Sequence, residues 1–146
     1  MRFILLTLYM AASVPMSFAA EGVFRVRWAM YEEQEYIADP VEIPAQNVPH
    51  LARVVLADNV GNFIGFVDES NVTIQFMLVA PGRVEIDIPE PASQGSFQLR
   101  VDSAKAFEVI DDLSPPFSRY KELLGLKYQT WGWGSDEGNR RRVPAE

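Results

Sequence analysis

The chain has 146 residues, 48% of them hydrophobic, with 13 Lys and Arg against 20 Asp and Glu for a formal net charge of −7. That is enough for one domain with a real core and too little for two comfortable ones. Such acidity disfavours nucleic acid, which draws on a concentrated basic surface. The absence of cysteine removes disulfides, thiolate metal sites and cysteine nucleophiles.

Met1 to Ala19 reads as a secretory signal peptide. Arg2 supplies the positive start, Phe3 to Val14 form a 12-residue apolar run, Pro15 breaks it, and Ser17-Phe18-Ala19 offers small residues at the two positions a signal peptidase reads. A membrane anchor needs about 20 apolar residues, so the expectation is cleavage before Ala20. The mature chain then has 127 residues, a net charge of −8 and no stable membrane span, and is periplasmic or secreted.

Alternation dominates the mature chain. In Val23 to Trp28 the residues Phe24, Val26 and Trp28 share one face and Arg25 and Arg27 the other, the period of a half-buried strand. Tyr31-Glu32-Glu33-Gln34-Glu35-Tyr36 reads as a solvated loop, with a basic partner as the alternative. A short strand is predicted at Val41 to Ile43. His50, the one histidine, has neither a Gly-x-Ser-x-Gly elbow nor a second histidine beside it. Leu51 to Ala57, Phe63 to Val67 and Val72 to Val79 are more uniformly apolar and read as central strands.

Asp58, Asn59 and Asn62, and Asp68, Glu69 and Asn71, offer hard oxygen atoms, yet neither run has the spacing of a calcium loop, and both suit turns. No metal and no cofactor is expected. Arg83 to Ile88 sets Val84, Ile86 and Ile88 against Arg83, Glu85 and Asp87; Phe97 to Val101 sets Phe97, Leu99 and Val101 against Gln98 and Arg100. Ala104 to Leu113 is read as strand and loop, because Asp111 and Asp112 would oppose the dipole at a helix C-terminus. One short helix is predicted at Pro115 to Leu124, with Ser114 as its cap and Gly125 as its end.

The best functional candidate lies in the last strand, Leu126 to Trp133. Trp131 and Trp133 would project to one face beside Lys127 and Gln129, and with Tyr128 they form the predicted binding set. Two indoles on a polar face make a platform for a protein partner or for stacked sugar rings; the alternative is that both are core. Residues 135–146 form a polar tail.

Many short strands separated by turn chemistry point to a mainly all-β fold, a two-sheet antiparallel β-sandwich over residues 20–134 with one short C-terminal helix. Val72 to Val101, a strand, a Pro-Gly turn, a strand, a loop and a third strand, resembles the later half of an immunoglobulin-like or fibronectin-type domain without the Cys-Trp-Cys signature. No nucleophile and base stand out, so no catalytic residue is assigned. The expected role is a non-enzymatic interaction module acting through a sheet face or edge on a protein in the envelope or extracellular space. Glycan binding on Trp131 and Trp133 is the alternative, a hydrolase is less favoured, and self-association through strand edges is open to such a fold.

Overall fold

The computed structural model describes residues 22–132. The predicted signal peptide, Trp133 and the predicted tail lie outside them. Seven strands, β1 (Val23–Met30), β2 (Glu35–Pro44), β3 (Phe63–Val67), β4 (Thr73–Ala80), β5 (Arg83–Glu90), β6 (Gly95–Asp102) and β7 (Lys127–Thr130), join in the order β2-β1-β3-β4-β5-β6-β7, every pair antiparallel. The chain is mostly β, as its alternation predicts. Its described strands nevertheless make one sheet where two facing sheets were expected.

Helices supply the second layer. Leu51 to Ala57, read as a strand, belongs instead to α1 (Val48–Val55). Pro49 presets the first helical turn, and Val48, Ala52 and Val55, spaced four and three apart, turn one apolar face to the sheet. Ala104 to Leu113, read as strand and loop, becomes α2 (Ser103–Asp111), which buries Ala106, Val109 and Ile110. The predicted helix at Pro115 to Leu124 contracts to a 3-10 turn, Phe117–Arg119, running into the one-turn α3 (Tyr120–Leu123).

One core fills the space between the layers. Val26, Ile64, Phe66, Ile74, Phe76, Leu78, Val84, Ile86 and Ile88 from the sheet meet Val48, Ala52, Val55, Leu56, Ala106, Val109 and Ile110 from α1 and α2 and the segment after α1. Phe66 stands edge-on to both Phe24 and Phe76, with ring centroids 5.8 and 6.0 Å apart, the geometry that aromatic quadrupoles favour. No helix among the described residues is long and apolar enough to cross a membrane.

α2 is started by Asp102, whose Oδ1 accepts from the Lys105 backbone N–H at 2.7 Å. Asp102→Ala is expected to cost about 1 kcal/mol in a urea titration, and Asp102→Ser to restore most of it. Equal stability of the alanine variant and the parent would show that the cap contributes nothing.

Candidate binding face

The alternation that sends Val26, Phe66, Phe76 and Ile86 into the core sends their chain neighbours to the other face of the sheet. Register then aligns those neighbours. Arg27 pairs with Gly65, Gly65 with Gln75, Gln75 with Asp87, Asp87 with Gln98, and Gln98 with Lys127. One row, polar but for its glycine, therefore crosses six strands on a face that no helix of the described residues covers. At Gly65 a Cβ would stand 3.4 Å from Nε and 3.5 Å from Cγ of Arg27, so the arginine stem lies across β3 in the space the glycine leaves.

The middle of the row is knitted by hydrogen bonds. Gln75 Nε2 donates to Asp87 Oδ2 at 2.7 Å, Gln98 Nε2 donates to Ser96 Oγ at 2.7 Å, and the Trp131 indole Nε1 donates to the same Ser96 oxygen at 3.3 Å. Asp87 is buried, and its Oδ1 and the Nε of Arg27 have no hydrogen-bond partner among the described residues. Burial pushes the Asp87 carboxyl above the ordinary value; the Ser96 hydroxyl and the Gln75 amide oppose this, and the charge of Glu85 adds to it.

A raised folded-state pKa means that the fold holds this proton more tightly than the unfolded chain does. The contribution of Asp87 to stability is therefore fully present below the ordinary 3.8 and is lost as pH rises through the raised value. Asp87→Asn keeps an acceptor for Gln75, so it is expected to be more stable than the parent at pH 7 and to lose that advantage toward pH 4. A melting difference that does not change between those conditions would refute the assignment.

Beside Asp87 the face opens into a groove of ≈ 490 Å³ lined by Glu85, Gln98, Leu99, Arg100, Lys127 and Gln129. Arg100 Nε and Glu85 Oε2 pair across β5 and β6 at 2.9 Å. Lys127 has no ion-pair partner among the described residues.

Of the residues predicted from sequence, Lys127 and Gln129 stand opposite Gln98 and Ser96, and Trp131, 36% exposed, reaches Ser96 from beyond the last ladder pair. Tyr128 is turned the other way. Its ring packs edge-on against Phe97 at 5.3 Å, and its hydroxyl lies 2.9 Å from both the carbonyl oxygen and the Oγ of Ser93, so it straps β7 to the turn before β6. Trp133 is outside the described residues. Sequence reasoning missed Gln75, Asp87, Ser96 and Gln98 as members of one site. Asp87 and Gln98 alternate as read, but Gln75 lay in a run read as uniformly apolar and Ser96 before the predicted strand, and only register brings the four together.

The other candidates resolve into structure. Asp68 Oδ1 accepts from the backbone N–H groups of Ser70 and Val72, and its Oδ2 accepts from that of Phe117. Asn62 accepts from the Tyr31 N–H and donates to the Val55 carbonyl. The acidic run is the β1–β2 turn and the start of β2: Glu35 accepts from the Trp28 indole at 2.6 Å, and Glu33 accepts from the Asn59 amide. His50 is exposed on α1. Among the described residues no three His, Cys, Asp or Glu side chains are grouped to hold a metal ion. A second cleft, ≈ 380 Å³, lies at the sheet end between β1, Asp68 and Phe117.

Comparison with protein-family models, with curated proteins and with solved structures returns no match.

Proposed function

We propose that this chain is an exported, non-enzymatic binding module whose working surface is the helix-free face of its sheet, centred on β5, β6 and β7. The single observation that supports it most is the row from Arg27 to Lys127, which lays polar side chains on a face that no other element of the described residues covers. A face left bare in this way is ordinarily charged and solvated. Here it holds two hydrogen-bonded groups, the buried Asp87 with the Gln75 carboxamide and the Gln98 carboxamide with the Trp131 indole on Ser96, and side chains held in this way are the preorganisation that recognition needs. Export rests on the signal-like segment Met1 to Ala19.

A protein partner joined by strand addition is the second reading, and β7 is the observation that favours it. All four of its residues are exposed, and among the described residues it pairs with β6 alone, which leaves one side of its backbone for another strand. The opposite edge, β2, is protected by Pro40, Pro44 and a register shift against β1.

The test is affinity capture from native envelope and secreted fractions by the purified chain beside its Gln129→Ala/Trp131→Ala double variant, both checked by melting. A component recovered by the parent and lost by the folded variant is the expected result. Equal recovery by both would move the working surface off this face, and recovery that survives the face variant but fails in Thr130→Pro would favour the edge.

A further inference from the structure

We propose that the β5–β7 groove holds an acidic saccharide, a glycan chain bearing uronate carboxylates; this rests on the binding-face reading above and names its ligand. Charge is the first ground. On a chain of net charge −7 the groove sets Arg100 and Lys127 against the single carboxylate of Glu85. Glu85 is engaged by Arg100, so the ammonium of Lys127 is left without a described counter-ion, at the open end of the polar row. A carboxylate on the ligand complements it.

The uncharged lining fits the rest of a sugar. Gln98 donates one Nε2 hydrogen to Ser96, which holds the amide so that its carbonyl oxygen can accept, while exposed Gln129 offers both donors and an acceptor. Sugar hydroxyls donate and accept in the same way. Trp131 ends the array, with its indole N–H held by the Ser96 hydroxyl that also holds Gln98, so one serine sets the relation between the apolar ring and the amide. The C–H face of a pyranose packs on such a ring while its hydroxyls face the amides.

A peptide would need apolar pockets. The one apolar residue of the lining is Leu99, which packs against the core beneath the sheet.

The test is calorimetric titration of the purified chain with oligogalacturonate, oligomannuronate and hyaluronan oligosaccharides, beside neutral cello-oligosaccharides. The expected result is binding of at least one acidic probe, about tenfold or more tighter than the neutral one. Added salt should weaken it. Lys127→Gln, at an exposed position, should remove most of that preference at an unchanged melting temperature, and Trp131→Ala should weaken every probe that binds.

No acidic probe bound at millimolar concentration, neutral and acidic probes bound alike, or full affinity in Lys127→Gln would each overturn the inference. A native component still captured through this face would then leave the binding-face reading standing, whereas loss of both results would remove it.

Discussion

Asp68→Ala is expected to lower the free energy of unfolding by about 3 kcal/mol, because one buried carboxylate serves three backbone donors in two distant segments. Asp68 closes β3. Its Oδ1 accepts from Ser70 and Val72 at 2.9 Å each, which shapes the turn into β4, where Asn71 takes a φ of 58°. Its Oδ2 accepts at 2.9 Å from Phe117, 49 residues further along and itself buried, which fixes the segment leading into α3. Alanine leaves the Phe117 N–H buried without an acceptor and frees the turn at the same time. Asp68→Asn separates the two effects: its carbonyl oxygen can keep the turn, while its amide would face Phe117 donor to donor, so an intermediate loss is expected. Urea titrations of the three proteins decide it. A loss below about 1 kcal/mol for alanine, or equal losses for both variants, would show that Asp68 is not the joint between these segments.

Most strands were legible because each carries its pattern within itself; β2, Glu35–Pro44, was read only at Val41 to Ile43. Phe63 to Val67 is β3 residue for residue, and the polar sides read for β5 and β6, Glu85 with Asp87 and Gln98 with Arg100, are the sides that face away from the helices. The helices were not, and both failures are physical. A short apolar run such as Leu51 to Ala57 fits a buried strand or one side of a helix equally well; Pro49 and the core contacts of Val48, Ala52 and Val55 decide for the helix.

Asp111 does stand at the unfavourable end of α2, but Arg53 of α1 grips it with two nitrogens at 3.0 and 2.9 Å and stacks over Phe107 at 4.7 Å. The compensating charge lies 58 residues away, where no reading of local sequence finds it. Those two helices take the place of the expected second sheet. The same limit applies to the binding face. Lys127, Gln129 and Trp131 were visible from alternation in one strand, whereas their link to Gln75, Asp87, Ser96 and Gln98 exists only once four strands are in register.

That dependence on register makes Gly95→Ala the most informative change at the face, with an expected cost of about 1–3 kcal/mol and detachment of β7. Gly95 pairs with Thr130 at the end of the β6–β7 ladder, and the Tyr128 ring lies directly over it. A Cβ there would overlap the Tyr128 hydroxyl end and stand 2.6 Å from the Gln129 carbonyl oxygen. The side chain can swing away at the cost of its bonds to Ser93; the backbone oxygen moves only if the strand does. Lys127, Gln129 and Trp131 travel with it, so ligand capture should fall together with protection of the β7 amides from hydrogen exchange, while the central β4 amides keep theirs. Gly95→Ala/Tyr128→Ala removes the side-chain overlap and leaves the backbone one, so recovery of β7 protection should be partial. Full recovery would assign the constraint to the tyrosine alone, and unchanged exchange in the single variant would mean that β7 is not held against β6 through this glycine.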